Sequence, residues 1–353
     1  MKPLHYLFVF VIPALTVVGL FLEGPWVWLA PVMVFGLVPI LELFLPAPQD
    51  NDDEETLMSG TEDWRYDAVL YAAVPTQVGV VVLFLWLVSS GALTGLDLVG
   101  ATMAVGLCCG GLGINIGHEL GHRKDKRDQL LAKLLLSTSL YAHFFIEHNR
   151  GHHSRVATHD DPATSRRGEL LYSFWWRSVV GGWRSAWEME AKRLTRRGRS
   201  VLSLENEMLR LQLAQAGLVA GAFLVLGASA GLAFLAVAVL GILLLETVNY
   251  LEHYGLKRSQ SANGRWERVR PAHSWNSNCL LGRLLLFNLT RHSDHHAHPK
   301  RPYSALRHFD EAPQLPTGYP GMVMVALVPP LFFALMDPRL PDAAPASTPA
   351  IAA

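Results

Sequence analysis

The sequence predicts an all-α, polytopic membrane protein with six transmembrane helices and a histidine-rich site for two metal ions on its cytoplasmic face. Half of the 353 residues are hydrophobic and only 17% are charged. Six apolar windows are long enough to cross a bilayer, and nine histidines recur at short spacings near their ends. We therefore expect a single membrane domain over residues 1–340, followed by a disordered tail rich in Ala and Pro over 341–353.

The apolar windows pair into three predicted helical hairpins. They cover residues 4–22, 25–45, 68–88, 96–116, 209–228 and 231–250. The first, third and fifth connections are short and contain no Lys or Arg, whereas the long connections hold the basic residues. By the positive-inside rule, the long connections and the N-terminus are cytoplasmic. The first window lacks a small-residue cleavage site, so we interpret it as a retained span and not as a signal peptide.

Four segments outside these windows have their own patterns. The acidic residues of 46–63 are typical of a solvated connector. Segment 125–145 has the apolar spacing of a helix at the membrane surface. The basic run 192–199 suits either an acidic partner or anionic lipid. Segment 322–336 is apolar but short and contains two adjacent prolines, which favours an interfacial or protein-packed segment over a seventh span.

Histidines cluster in four elements that the predicted topology brings to one membrane face. Residues four apart on a helix project from one side, and imidazole nitrogens bind Fe, Zn, Cu and Ni. Nine histidines exceed what one ion accepts, so the pattern predicts two metal ions and no catalytic side chain beyond the ligands. The predicted ligands are His118, His122, His148, His152, His153, His253, His292, His295 and His296.

Polar residues near these histidines are expected to support them. Four acidic residues directly precede or follow a predicted ligand in the chain, and adjacent side chains of a helix diverge by about 100°. We therefore expect them to orient the rings of other ligands. The expected supporting residues are Glu119, Glu147, Glu252, Asp294, His143, His273 and His298. Glu246 and Asn249 either border the site or join two helices.

Charge and cysteine content exclude several classes of protein. The formal net charge is zero, so nothing indicates binding to nucleic acid. The three cysteines, Cys108, Cys109 and Cys279, form no CxxC pair. This disfavours a disulfide scaffold, a cysteine-ligated zinc site and a fused iron–sulfur domain. Any electrons for redox chemistry must therefore come from another protein.

The motifs resemble those of bacterial membrane alkane 1-monooxygenases, also called alkane hydroxylases. The matching strings are HELGH, EHNRGHH, NYLEHYGL and RHSDHHAHP, with ATHDDPATSRRGE and HSWNSN between them. The resemblance implies a six-helix fold in the bacterial inner membrane and two non-haem iron ions bound by the nine histidines. It also implies electrons from rubredoxin and its reductase, with O2-dependent hydroxylation of a terminal methyl group of an n-alkane. Arg123 and Thr290 depart from the usual residues of the family, outside the nine positions.

Three other functions are open to the same sequence. A related enzyme would hydroxylate methyl groups on aromatic rings or introduce double bonds. An intramembrane zinc protease would use the HExxH string of His118, Glu119 and His122, although three further clusters would then have no role. A metal-transport protein is disfavoured, since the histidines gather at one face and leave no polar path across the bilayer.

Overall fold

The computed structural model describes residues 1–341, so the tail predicted to be disordered lies outside the described residues except for Pro341. The helices, in chain order, are α1 (Pro3–Leu22), α2 (Gly24–Glu42), α3 (Glu54–Gly60), α4 (Trp64–Ser89), α5 (Gly95–Gly121), α6 (Lys126–Ser137), α7 (Phe144–Glu147, continued by His148–His152 and His153–Arg155), α8 (Leu171–Thr195), α9 (Glu207–Leu226), α10 (Ala228–His253), α11 (Leu280–Leu285), α12 (His292–Ala297), α13 (Tyr319–Ala326) and α14 (Pro329–Met336).

Six of these helices are long and apolar enough to span a membrane: α1, α2, α4, α5, α9 and α10. The prediction of six spans is thus confirmed. Helices α5 and α10 continue past the predicted apolar windows, to Gly121 and His253. Because helical hydrogen bonding extends to these ends, the histidines there sit on rigid backbone and not on loops.

The turn between α9 and α10 differs from the expected one. The prediction placed it at Ser229 and Ala230, but α10 already begins at Ala228 and the chain reverses at Gly227. Gly227 has φ +89°, a conformation that a residue without Cβ adopts at little cost. The apolar character of both flanking helices had hidden this boundary.

The surface helix α6 lies directly against α5. It begins after Asp125, whose carboxylate accepts a hydrogen bond from the Arg127 amide at 2.7 Å. It ends at Ser137, earlier than predicted. A Cβ added to Gly117 of α5 would lie 3.0 Å from Leu136 Cγ, so the absence of a side chain at Gly117 allows this contact. The close packing fixes the α5 end that carries the first histidines.

The last apolar segment forms two short helices, α13 and α14, which pack against the protein and do not form a seventh span. Met322, Phe332 and Met336 are buried in a cluster with Tyr250 and Tyr254. The segment is therefore packed against α10, the helix that carries His253, as the two adjacent prolines had suggested.

Candidate metal centre

The nine predicted ligand histidines form two compact groups. They come from α5, α7, α10 and α12, and within each group one ring nitrogen per residue lies within 4.8 Å of the others. The first group contains His118, His122, His148, His153 and His295. The second group contains His152, His253, His292 and His296, all of them buried.

The first group is a closed ring of five Nε2 atoms. The consecutive distances are 2.9 Å for His118–His295, 3.1 Å for His295–His153, 2.9 Å for His153–His148, 3.2 Å for His148–His122 and 3.1 Å for His122–His118. Hydrogen bonds cannot satisfy this ring, since donors and acceptors cannot alternate around an odd number of atoms. A cation at its centre would use all five lone pairs.

The second group has two close pairs of nitrogens. Nε2 of His152 lies 3.2 Å from Nε2 of His296, and Nε2 of His253 lies 3.3 Å from Nε2 of His292. These spacings match those of the first ring. Imidazole donors of this kind suit iron and other transition metals, so each group fits one ion.

Neighbouring histidines in the chain enter different groups because of local helix geometry. His148–His152 is a π turn, which holds one more residue than an α turn and brings residues five apart towards a common side. His148 therefore meets His153, whereas His152 joins the second group. The four-residue spacing alone had suggested His152 as the partner of His148.

Burial favours the neutral form of three ligand rings that lie outside the membrane-spanning helices. Desolvation, reinforced by neighbouring rings, holds the pKa of His148, His153 and His296 well below the usual value. Neutral imidazole is the form that donates a lone pair to a metal, so no proton has to leave these rings at neutral pH before an ion binds.

The sequence analysis assigned no role to Asp161, yet this residue contacts a predicted ligand. Its Oδ2 lies 2.8 Å from Nδ1 of His152 and also accepts a hydrogen bond from the Thr164 hydroxyl at 2.6 Å. Burial would raise the pKa of Asp161, but His152 and Thr164 lower it. The only sequence signal was its place in ATHDDPATSRRGE, where no histidine is at ligand spacing.

Glu252 is the one expected supporting residue whose side chain reaches the ring nitrogen of a predicted ligand within residues 1–341. Its Oε2 lies 3.2 Å from Nε2 of His292. Its Oε1 accepts a hydrogen bond from the Tyr319 hydroxyl at 2.9 Å. Glu252 thus contacts a ligand from a different helix and not its chain neighbour His253.

The other expected supporting side chains have different contacts. Glu119 accepts a hydrogen bond from the Tyr303 amide, Glu147 bonds to Arg155, Asp294 bonds to Arg307 and His298, and His273 lies beside Glu267. Both ring nitrogens of His143 are buried without a hydrogen-bond partner among the described residues. The five residues with these contacts, which exclude His143, help to hold the surrounding segments together.

The contacts of Glu119 also bear on the protease alternative. In that mechanism the glutamate of HExxH acts as a general base beside an open metal position. Here Glu119 is directed to Tyr303, and His118 and His122 belong to a ring of five nitrogens. The arrangement lacks the three-ligand geometry with one open position that a zinc protease requires.

Glu246, a buried carboxylate of α10, joins two parts of the fold. It accepts a hydrogen bond from the Tyr141 hydroxyl at 2.7 Å and another from Asn249 at 3.3 Å. The contact with Tyr141 ties α10 to the segment that leads into α7. The sequence left two roles open for Glu246, bordering the site or joining two helices. The structure shows a hydrogen bond that joins α10 to the segment before α7.

An apolar cavity leads to both histidine groups. It measures about 100 Å³ and lies between α1, α2, α5, α10 and α13. Its walls include Val34, Phe35, Leu107, Gly111, Leu244 and Val248. His118 and His148 of the first group and His292 of the second group also line it. The mostly apolar lining suits a hydrocarbon group next to the histidines.

Comparisons with known proteins agree with this geometry. A family model described as Fatty acid desaturase matches residues 93–326. The chain is 42% identical over 334 residues to Alkane 1-monooxygenase 1 of Alcanivorax borkumensis, covering 93% of this chain and 82% of that protein. It is 43% identical over 319 residues to Alkane 1-monooxygenase 2 of Pseudomonas aeruginosa, covering 89% and 84%. A more distant relative, 29% identical over 349 residues (97% and 90%), is the hydroxylase component of a xylene/toluene monooxygenase of Pseudomonas putida.

Proposed function

The chain belongs to the alkane 1-monooxygenase family, within the wider Fatty acid desaturase family, and from this premise we propose that it hydroxylates the terminal methyl group of n-alkanes at two non-haem iron ions, with electrons from rubredoxin. The overall reaction is R–CH3 + O2 + 2 e⁻ + 2 H⁺ → R–CH2OH + H2O. The enzyme is thus an oxidoreductase of the monooxygenase class.

One observation carries the proposal: histidines of both groups help to line a mostly apolar cavity. Iron bound at these groups would supply the O2 activation that breaking an unactivated C–H bond requires. The apolar walls would exclude water and admit a hydrocarbon from the bilayer. His118, His148 and His292 line the cavity, so a terminal carbon that reached them would lie beside the metal ions.

The protein's own groups prepare the ligands for this chemistry. Asp161 accepts the hydrogen of His152 Nδ1, which leaves the Nε2 lone pair free for a metal ion. Burial holds the pKa of His148, His153 and His296 well below the usual value, which favours their neutral form. No proton transfer therefore has to precede metal binding at these rings.

Electrons for the reaction come from a separate protein. The chain has three cysteines, whereas a rubredoxin-type site uses four. A separate rubredoxin with its reductase is the donor that the family resemblance implies. We place the N-terminus and the metal centre on the cytoplasmic side of the bacterial inner membrane, because Lys and Arg occur only at the N-terminus, in the connections and at the helix ends on that side.

The test is a reconstituted assay with a defined substrate panel. Purified protein would be loaded with iron and supplied with rubredoxin, its reductase and NADH. The panel would contain n-alkanes, alkylbenzenes and fatty acyl chains, with products separated by gas chromatography. We expect 1-alkanols as the main products and O2 consumption that matches them.

Benzylic alcohols or unsaturated acyl chains as main products would identify a different enzyme of the same class. One tightly bound zinc ion per chain, without O2 consumption, would refute the proposal.

A further inference from the structure

We propose that the basic surface at the C-terminal end of α8 is the docking site of an acidic electron-donor protein. The surface forms an open pocket of about 470 Å³, which we call the basic pocket. The inference rests on the proposed function, because only a redox reaction at the histidine groups needs such a donor. The residues that line the basic pocket are Arg150, Met189, Lys192, Arg193, Arg196 and Arg197.

A buried carboxylate holds the basic pocket together. Arg150 belongs to the π turn of α7, whereas Arg193 belongs to α8. Both guanidinium groups donate to Glu190, at 2.7 Å and 2.8 Å respectively. Glu190 is fully buried, so it fixes the two arginines from inside the fold. The part of the pocket next to the metal centre is therefore well ordered.

The exposed rim of the basic pocket has positive charge to spare. Arg196 and Arg197 are exposed, and within residues 1–341 their side chains form no salt bridge. Lys192 meets only Glu188, at 3.6 Å between two exposed side chains, where solvent weakens the attraction. In the described part of the chain, the five cations of the pocket contact three carboxylates. The excess positive charge would attract a protein with an acidic face.

One residue separates the basic pocket from the metal ligands. A Cβ added to Gly151 would lie 3.1 Å from Met189 Cε, so Met189 packs against the π turn. Gly151 directly precedes His152, and consecutive Cα atoms are about 3.8 Å apart. Arg150 lies between His148 of the first group and His152 of the second. A donor bound at the pocket would therefore have a short, packed path to both groups.

The arrangement of residues around α8 favours a soluble partner over lipid. Trp176 and Trp183 are exposed and seven residues apart, so they share the side of α8 that suits a membrane interface. Lys192 and Arg196 follow Trp176 by 16 and 20 residues. They therefore lie about 160° and 200° around the helix from it. When the tryptophan side is buried in the membrane surface, the opposite side faces water.

Binding to the metal-free protein tests the docking site without iron. Wild type and Arg196→Glu/Arg197→Glu would be placed in nanodiscs of phosphatidylcholine, which has no net charge, and titrated with oxidised rubredoxin. We expect the variant to bind about tenfold or more weakly at low ionic strength. Added salt should weaken binding by wild type more than binding by the variant. Arg196→Gln/Arg197→Gln should have an intermediate affinity, and it guards against misfolding caused by charge reversal.

Lys126→Glu/Arg127→Glu is the matched control. These two residues are exposed, adjacent in the chain and predicted to lie on the same side of the membrane, but they do not line the basic pocket. The control changes the net charge by the same amount and should bind rubredoxin as wild type does. Equal affinity of wild type and Arg196→Glu/Arg197→Glu would overturn the inference. If that variant instead retains less phosphatidylglycerol after purification from mixed lipid, the surface binds lipid.

Electron-transfer kinetics separate this inference from the proposed function. Iron-loaded protein would be mixed with reduced rubredoxin, which gives one electron per molecule to the iron ions, so that two are oxidised per alkanol. The second-order rate constant should fall about tenfold or more in Arg196→Glu/Arg197→Glu. The yield of 1-alkanol from a single turnover of chemically reduced protein should stay unchanged. Equal rate constants would contradict the docking site, whereas wild type that forms no 1-alkanol after chemical reduction would refute the proposed function.

Discussion

Nδ1 of His152 lies 2.8 Å from Oδ2 of Asp161, and both side chains are almost wholly shielded from solvent. This contact fixes which ring nitrogen of His152 carries a hydrogen, because a carboxylate can only accept. Among the described residues, a carboxylate oxygen lies within 4.0 Å of a ring nitrogen of a predicted ligand in two places, here and at Glu252 and His292.

Asp161→Asn should weaken iron binding at the second histidine group. The amide keeps the size of the side chain but removes the charge that favours a hydrogen on His152 Nδ1. We expect a 10–100-fold loss of metal affinity at one of the two positions, the range found for residues that support ligands. Chelator competition at equilibrium would measure it. Asp160→Asn is the control, since Asp160 is exposed and lies beside the exposed His159; equal losses in both variants would contradict the prediction.

His295→Ala and His296→Ala should each lose a different iron ion. The two residues are adjacent in the chain, but His295 belongs to the first group and His296 to the second. Each variant should retain about one iron per chain when reloaded. In Mössbauer spectra the remaining doublet should differ between the two variants. The same remaining doublet in both would show that the two groups do not bind separate ions.

Gly111→Leu should shorten the longest alkane that the enzyme accepts. Gly111 lines the apolar cavity, and a Cβ there would meet only Ile12 Cδ1 at 4.0 Å. The larger side chain would occupy space otherwise free for substrate. We expect kcat/KM for the longest substrates to fall about tenfold or more, while short alkanes are affected little. Gly79→Leu adds the same side chain at an exposed position with nothing within 4 Å, and it should leave the chain-length profile unchanged.

Glu190→Gln should destabilise the protein. Glu190 is fully buried and accepts hydrogen bonds from Arg150 at 2.7 Å, from Arg193 at 2.8 Å and from the Glu207 amide at 2.9 Å. The neutral amide would leave Arg193 without its charged partner and would remove one of the two carboxylate partners of Arg150, which also contacts Glu207. We expect a loss of about 3 kcal/mol in unfolding free energy, seen as a Tm lower by several degrees in detergent. Glu188→Gln, at an exposed position on the same helix, should change Tm little.

The same carboxylate predicts a pH dependence. Burial would raise the pKa of Glu190, but the hydrogen bonds from Arg193, Glu207 and Arg150 lower it to about 2. Because the folded-state pKa is below the unfolded value of about 4.5, the stabilisation is complete above that value. It is lost as the pH falls from about 4.5 to about 2. The difference in Tm between wild type and Glu190→Gln should therefore shrink over this acidic range.

The six spans and the nine histidines could be predicted because their signals are local. Apolar length defines a span, and HELGH and RHSDHHAHP concentrate imidazole within a few residues. The division into two groups could not be predicted, since it depends on the π turn at His148–His152, which has no evident sequence signal. The family resemblance is confirmed by the comparisons, whereas the orientation in the membrane stays a prediction.

The carboxylates were harder to predict for a physical reason. Asp161 lies nine residues from its partner His152 in an irregular segment, where no helical spacing relates the two. Glu252 meets His292 across 40 positions of the chain, from α10 to α12. Adjacency in sequence had identified Glu119 and Glu147 as readily as Glu252. Only the folded structure shows which carboxylates face a ring.

The pairs His152–His153 and His295–His296 each send consecutive rings to different groups. At each of these two places, one peptide unit connects a predicted ligand of one ion to a predicted ligand of the other. An ion bound in one group would immobilise both of these backbone segments, so less conformational entropy would be lost when an ion binds in the second group. The two ions should therefore load cooperatively, so that partially metallated protein is scarce during assembly.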